Sequence, residues 1–269
     1  MKGYKGFGPG LICKDKQYQE NTVFEEPEAK ICEKGMHFCE NPFDVLDYYD
    51  LIRSDGTPNE FAEVEALDEP KTDDKKKFCS KKLKIGVKLG LSGFIKACVD
   101  FVLEKTIAEA PSENVDSGDC ARIGSSGDSA QIGSSGNYAQ IGSSGDSAQI
   151  GSSGNYAKIG SSGYSAQIGS SGDSAQIGSS GNYAQIGSSG DSAKINCTGS
   201  DSVICCAGHG SVVKAPVGCW ITLAEWKYDG AKQRCVPVCV KTEYVDGEKI
   251  KADTPYKLEN GKFVEVVGG

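Results

Sequence analysis

Between Gly127 and Ser144 the chain reads Gly-Asp-Ser-Ala-Gln-Ile-Gly-Ser-Ser-Gly-Asn-Tyr-Ala-Gln-Ile-Gly-Ser-Ser, which is two copies of one nine-residue unit. Isoleucine recurs at every ninth position from Ile123 to Ile204, and Val213 continues the register. Self-similarity at a short fixed period is typical of repeat architectures, because each unit can bury its apolar side chains only against its neighbours.

Each unit predicts one short strand and one tight corner. Ala and Ile stand two residues apart, so both point to one side of an extended segment, and the Gln, Lys or Arg between them points outward. The Gly-Ser-Ser-Gly run supplies glycine for the positive φ angles of a turn, and it would break a helix. Because a lone four-residue strand cannot bury its Ala and Ile, the strands must stack as the coils of a β-solenoid.

The size of a coil follows from an alternation between successive units. The third position of the unit reads Ser129, Tyr138, Ser147 and Tyr156, which indicates two units, or about 18 residues, per coil. The repeat then predicts about five coils and a rod roughly 20 to 25 Å long. Tyr138 is expected to stack on Tyr156 along one wall, with Tyr183 on the opposite wall.

The residues before the repeat, 1–110, have the mixed composition of a small α+β domain. Asn41 followed by Pro42 predicts the start of a helix that continues to Tyr49. Alternation over residues 60–66 predicts a strand with one acidic face. Apolar residues at helical spacing predict a second helix over 91–109, which is expected to cap the open end of the solenoid.

The residues after the repeat, 214–269, read as a small antiparallel β unit that closes the other end. A hairpin turn is expected at Asp246-Gly247, and Asn260-Gly261 is a strong second hairpin signal. Strands are predicted over residues 219–226, 234–241 and 244–251. The chain is therefore predicted to be mainly β, with a nonapeptide-repeat β-solenoid over 111–213 between an N-terminal α+β domain and a C-terminal antiparallel β unit.

Composition narrows the cellular context. The chain has 269 residues, a net charge of −8 and 12 cysteines without the regular spacing of a disulfide framework, which favours reduced thiols in a cytoplasm. No apolar run is long enough for a membrane helix, and the first residues lack the apolar segment of a signal peptide. We therefore expect a cytoplasmic protein with no membrane partner.

The sequence offers little for catalysis or metal binding. His37 together with Cys13, Cys32 and Cys39 forms a weak candidate zinc set, because the paired Cys-x-x-Cys of most structural sites is missing. His209 has nearby cysteines but no third group to orient it. No phosphate-binding loop or dinucleotide motif is present. We expect no enzymatic activity, no cofactor and no resident metal.

Other functions of repeat proteins rank low. Asp128, Asp146, Asp173 and Asp191 follow glycine, where Asx side chains usually bond their own turn, and the remaining units lack the carboxylates that calcium requires. The outward Gln, Lys and Tyr residues are not the threonine rows of an ice-binding surface. The repeat has too few carboxylates for nucleic-acid mimicry, which would have to come from residues 20–74. The overall negative charge argues against a nucleic-acid partner.

Segments near both ends of the chain resemble a known protein family. Tyr4-Lys5-Gly6-Phe7, the stretch from Gly35 to Leu46, Ala224-Glu225-Trp226 and the stretch from Val245 to Lys251 resemble an uncharacterised family found in phages and prophages of gut bacteria. The repeat is similar to the β-rolls of trimeric bacterial adhesins. The family resemblance covers nearly the whole chain and implies a phage-related protein in the cytoplasm of a bacterial host, with no established activity to carry over.

We therefore expect a non-catalytic binding or scaffold protein that acts on a host protein, for example as an inhibitor of a host defence system. Two alternatives stay open: a virion or adhesin-like structural component that forms a homo-oligomer, and a spacer between head and cap. The residues expected to bind a partner, on the outer walls of the solenoid, are Tyr138, Tyr156, Tyr183, Gln140, Gln185 and Lys158.

Overall fold

The computed structural model describes residues 1–53, 55–105 and 113–266. It is mainly β, with an N-terminal head, a β-solenoid and antiparallel strands at the C-terminal end. The predicted fold is confirmed, and the coils are 18 residues apart in the strand register. About six coils are present, one more than the repeat count predicted.

The head is a seven-stranded antiparallel sheet with the order β4-β9-β6-β1-β5-β8-β7. The predicted strand over residues 60–66 is β6, and the predicted helix start is confirmed because the Asn41 side chain accepts a hydrogen bond from the Phe43 N–H at 3.0 Å. That helix has a single turn and ends at Val45 rather than at Tyr49. No helix among the described residues is long and apolar enough to cross a membrane. The head elements are β1 (Lys2–Phe7), β2 (Ile12–Cys13), β3 (Lys16–Gln17), β4 (Val23–Glu25), β5 (Met36–Cys39), α1 (Pro42–Val45), β6 (Glu60–Ala66), β7 (Lys71–Thr72), β8 (Lys77–Ser80), β9 (Lys82–Leu89) and α2 (Leu91–Lys105).

The solenoid consists of two parallel sheets, each built from alternate strands of the chain. The even-numbered strands form the even sheet, and the odd-numbered strands form the odd sheet. Ile132 pairs with Ile150 in the even sheet and Ile141 with Ile159 in the odd sheet, so buried isoleucine ladders from both walls meet in one core. The strands are β10 (Glu113–Asp116), β11 (Arg122–Ser125), β12 (Gln131–Ser134), β13 (Gln140–Ser143), β14 (Gln149–Ser152), β15 (Lys158–Ser161), β16 (Gln167–Ser170), β17 (Gln176–Ser179), β18 (Gln185–Ser188), β19 (Lys194–Cys197), β20 (Val203–Cys206) and β21 (Val212–Ala215).

The corner glycines are needed for a different reason from the one the sequence suggested. The positive φ of each corner is carried by the residue two positions after the glycine, such as Ser129 at 57° and Tyr138 at 58°. The glycine is required by the stacking of coils. A Cβ at Gly163 would lie 1.9 Å from the carbonyl oxygen of Gly145, one coil earlier, which is far inside van der Waals contact. Only glycine permits this approach of one backbone to the next.

The Asx residues of the corners also bond differently from the expectation. Their side chains do not bond their own turn; instead, each accepts a hydrogen bond from the backbone N–H of the residue 18 positions later. Asp128 accepts from Asp146 at 3.0 Å, and Asn137 accepts from Asn155 at 2.9 Å. These side chains therefore join consecutive coils along the rod.

Helix α2 does not cap the open end of the solenoid, contrary to the prediction. It lies along the outside of the odd sheet, where it contacts β11, β13, β15 and β17. The physical reason is that the odd sheet presents a row of glycines against which the apolar side of the helix packs closely. Residues 106–109 of the predicted helix, and the predicted domain boundary at 110/111, lie outside the described residues.

The C-terminal strands extend both walls of the solenoid. Asn260 and Gly261 have φ angles of 50° and 66°, as the predicted tight hairpin requires. The turn predicted at Asp246-Gly247 is not a hairpin, because β23 ends at Tyr244 and the chain then crosses to the odd sheet, with the Asp246 side chain accepting from two backbone N–H groups of the crossover. The strands are β22 (Trp220–Asp229) and β23 (Arg234–Tyr244) next to β20, and β24 (Thr254–Glu259) and β25 (Lys262–Glu265) next to β21.

Replacing a corner glycine tests the stacking. We expect Gly163→Ala to lower the free energy of unfolding by about 1 to 3 kcal/mol, because the new methyl group overlaps a carbonyl of the preceding coil. The control is Gly187→Ala, where a Cβ meets nothing within 4 Å. Thermal unfolding followed by circular dichroism measures both variants. Equal melting temperatures for the two variants would contradict the stacking constraint.

Candidate protein-binding surface of the solenoid

All the basic residues of the repeat lie in the odd sheet, and their side chains point outward. The position before each isoleucine stacks in one ladder, which reads Arg122, Gln140, Lys158, Gln176 and Lys194 along the rod. The 18-residue register brings all three cations to the same wall, because Arg122 and Lys158 are two coils apart, as are Lys158 and Lys194. The corresponding ladder of the even sheet contains no charged residue from β12 to β20.

Carboxylates of the head match this basic ladder. Asp44, Asp47 and Asp50 follow one another at intervals of three residues along the chain at and after α1. Lys158 Nζ lies 2.5 Å from the Asp47 carboxylate and donates to the carbonyl of Phe43 at 3.1 Å. Lys194 pairs with Asp50, and Arg122 lies 3.7 Å from Asp44. Opposite charges therefore align the head along the rod.

Glutamines of the same ladder complete this contact. Gln140 donates to Asp44 at 2.8 Å and accepts from the Asn41 amide at 2.7 Å. Gln176 accepts from the backbone N–H of Leu51 at 3.3 Å. Each amide thus uses both its donor and its acceptor, as a buried amide must.

A glycine row next to the ladder lets helix α2 approach the sheet. A Cβ at Gly142 would lie 3.0 Å from Val99 Cα, and one at Gly178 would lie 2.9 Å from the side chain of Ile95. The head therefore covers this outer face of the odd sheet, which we call the docked face. Side chains at these positions would push the helix off the wall.

Two of the residues predicted to bind a partner lie under the head. Gln140 and Lys158 point outward from the solenoid as expected, but they are 6% and 4% exposed. The prediction that they form a free outer wall is wrong, because the head occupies that wall. The sequence does carry a signal for this contact, namely three repeat cations two coils apart and three head aspartates three residues apart.

No described residue covers the outer face of the even sheet from β12 to β23, which we call the free face. Its first ladder has exposed glutamines, including the predicted site residue Gln185, and ends in three exposed apolar residues. Its second ladder starts with glycines and ends with small residues. The first ladder is Gln131, Gln149, Gln167, Gln185, Val203, Trp220 and Tyr244, and the second is Gly133, Gly151, Gly169, Gly187, Cys205, Thr222 and Thr242.

Both ladders of the free face are uncharged over the seven strands from β12 to β23, or roughly 29 Å at the usual strand spacing. Its apolar end is formed by Val203, Trp220 and Tyr244, which are 51%, 48% and 42% exposed. The rings of Trp220 and Tyr244 are 5.1 Å apart. Exposed aromatic side chains of this kind are the commonest anchors of protein interfaces.

The tyrosines of the repeat lie at the corners between the two sheets. Tyr138 and Tyr156 stack as predicted, with ring centroids 4.9 Å apart and planes within 6°. Tyr183 lies at the opposite corner, beside the groove along the glutamine ladder of the free face. It pairs there with Tyr164, at 4.9 Å. Tyr164 was not among the predicted site residues because it stands 19 rather than 18 residues before Tyr183.

The candidate zinc residues do not assemble around a common centre. His37 Nε2 accepts a hydrogen bond from the backbone N–H of Cys32 at 3.0 Å, so that nitrogen is already used. Cys13 Sγ accepts from the Tyr49 hydroxyl at 3.1 Å. Within residues 1–53, 55–105 and 113–266, no group of three or more His, Cys, Asp or Glu side chains is placed to hold a metal ion.

Comparison with known protein families yields a match for the head. A family model described as a domain of unknown function (DUF7666) matches residues 1–97. This match spans the head sheet and the first half of α2, and it ends before the solenoid. No curated protein and no solved structure matches the chain. The resemblance to an uncharacterised family is thus supported for the head alone.

The charged contact between head and rod can be measured by removing one cation. We expect Lys158→Ala to lower the free energy of unfolding by about 1.5 to 3 kcal/mol, because Asp47 and the Phe43 carbonyl lose a charged hydrogen-bond donor. Gln167→Ala, at the same position of the repeat on the free face, is the control and should change stability by less than about 0.5 kcal/mol. Denaturant unfolding compares them, and a Lys158→Ala effect as small as the control would contradict the docking contact.

His37 predicts a pH dependence of stability. Burial, followed by the charges of Lys5, Lys77 and Lys14, lowers the pKa of His37 from 6.5 to about 4. The folded state therefore favours the neutral ring, so this contribution to stability is complete above about pH 6.5 and is lost as the pH falls toward 4. We expect the wild type to lose more stability than His37→Gln between these pH values in denaturant titrations. Parallel curves of stability against pH for the two proteins would contradict the lowered pKa of His37.

Proposed function

We propose that the protein is a non-catalytic binding protein in which the docked face of the solenoid holds the head and the free face holds a partner protein. One observation carries this proposal: a single repeat unit builds two walls, of which one carries the repeat cations and is covered, and the other presents uncharged, exposed ladders from β12 to β23. An extended neutral surface with an aromatic end suits a protein partner better than a nucleic acid or a metal ion.

The docked face indicates what kind of partner surface would fit. There, the glycine row receives an amphipathic helix through Ile95 and Val99, and the glutamines bond polar groups of the head. The free face repeats the glycine row with open space, since a Cβ at Gly187 meets no atom within 4 Å. We therefore propose a partner that lays an amphipathic helix along the glycines and covers Trp220 with apolar side chains.

The biological setting is also a proposal. The resemblance of both ends of the chain to a phage and prophage family supports a protein made inside a bacterial cell and directed at a host factor, such as a component of a defence system. The proposal invokes no cofactor and no enzymatic step. Binding and blocking a host protein requires only a stable surface, which a rigid solenoid provides.

The test is capture of a partner by purified, tagged protein from bacterial host lysate, with matched variants of the rod. Gln167→Arg places a long charged side chain on the free face, and Trp220→Ala removes its aromatic anchor. Ser144→Arg places the same charge at an exposed position of a neighbouring coil outside that face. The captured protein is then purified, and its dissociation constant is measured by calorimetry for each variant.

We expect wild type and Ser144→Arg to bind the purified partner equally, and Gln167→Arg and Trp220→Ala to bind at least about tenfold more weakly with unchanged melting temperatures. Equal binding by all four proteins would contradict the proposed surface.

Light scattering measures the oligomeric state and provides a second test. A wild-type dimer that Gln167→Arg converts to a monomer would assign the free face to a second copy of this chain, as an oligomeric structural component requires. A wild-type monomer without a captured partner would also contradict the proposal.

A further inference from the structure

The head contains a cleft of about 550 Å³ that the binding function of the solenoid does not use. It lies within the residues matched by the family model, between β1, the β2–β3 hairpin, β5 and the segment after α1. A volume of this size is typical of small-molecule sites. Four tyrosines line it, Tyr4, Tyr18, Tyr48 and Tyr49, together with a group of lysines.

Lys5 is the buried cation of this cleft. It is 4% exposed, and its ammonium donates to the carbonyl of His37 at 2.9 Å and to Cys13 Sγ at 3.6 Å. The same ammonium lies 5.6 Å from the ring centroid of Tyr18. Among the described residues no carboxylate pairs with it. Burying an ammonium without an opposite charge is costly and lowers the pKa of Lys5, so an anion bound beside it would stabilise its charged form.

Lys77 and Lys14 add to the positive charge. Lys77 Nζ donates to Cys32 Sγ at 3.1 Å and lies 4.7 Å from the ring centroid of Tyr48. Neither lysine has an ion pair with a carboxylate in the described part of the chain. The other two lysines of the lining are neutralised, since Lys16 pairs with Glu26 and Lys34 with Glu28.

The charge that remains in the cleft can be counted from these pairs. Lys5, Lys14 and Lys77 are unpaired, and Glu33 is paired with a lysine outside the lining. Asp15 is the one unpaired carboxylate among the described lining residues. Three cations against one anion leave an excess of two positive charges. Burial, followed by the charges of Lys5, Lys77 and Lys14, lowers the pKa of His37 in this cleft.

We propose that this cleft binds a small phosphate-bearing molecule. A phosphate monoester carries nearly two negative charges at neutral pH, which matches the excess of the cleft, and lysine is a common phosphate ligand. Lys5 and Lys77 would contact the phosphate, and the exposed ring of Tyr48 would contact the organic part. The site does not depend on the free face, so either proposal can fail without the other.

Phenyl phosphate is a suitable probe because it combines the charge with a ring. Calorimetry compares it with inorganic phosphate, which lacks the ring, and with phenol, which lacks the charge. Lys77→Gln removes a half-buried cation of the cleft without emptying the core. Lys96→Gln, on the exposed side of α2 and outside the cleft, makes the same change of net charge and is the control.

We expect phenyl phosphate to bind wild type and Lys96→Gln equally, and to bind Lys77→Gln at least about tenfold more weakly. Phenol is expected not to bind, and inorganic phosphate is expected to bind more weakly than phenyl phosphate. An equal loss in both lysine variants would identify non-specific charge attraction and overturn the proposal. Absence of binding by wild type to both phosphate probes would overturn it as well.

Discussion

The close approach of glycine to the carbonyl of the preceding coil is the contact on which the rest of the structure depends. It sets the 18-residue coil, brings isoleucines into register and allows Asx side chains to bond from coil to coil. Because each coil contains two copies of one unit, the rod starts with two nearly equivalent walls. Any functional difference between these walls must come from the few positions where the units differ.

Charge at a few repeat positions makes the walls different. Arg122, Lys158 and Lys194 all fall on the odd sheet, where the head supplies aspartates and a helix. The head then covers the glycines and glutamines of that wall and leaves the even sheet bare. An intramolecular contact of this kind also explains why a protein with a net charge of −8 keeps a long neutral surface. The same mode of packing provides the physical basis for a partner on the free face.

Two separate surfaces therefore stand out, with different chemistry. The free face has uncharged ladders and is aromatic at one end, which suits another protein. The cleft of the head is concave and has an excess of positive charge, which suits a small anion. The family match covers only the head, whereas the repeats lie outside it. A binding role of the solenoid and a ligand role of the head are compatible, because the two surfaces share no residue.

The amino-acid pattern alone predicts the solenoid, its 18-residue coil, the Tyr138–Tyr156 stack, strand β6 and the Asn260-Gly261 hairpin. These features depend on local periodicity and turn chemistry, which neighbouring residues encode. Three-dimensional packing, in contrast, places α2 along a wall, buries Gln140 and Lys158, and pairs Tyr164 with Tyr183. It also decided that Lys5, Lys14 and Lys77 share one cleft. These outcomes depend on contacts between residues distant in the chain, and such contacts leave no periodic pattern in the sequence.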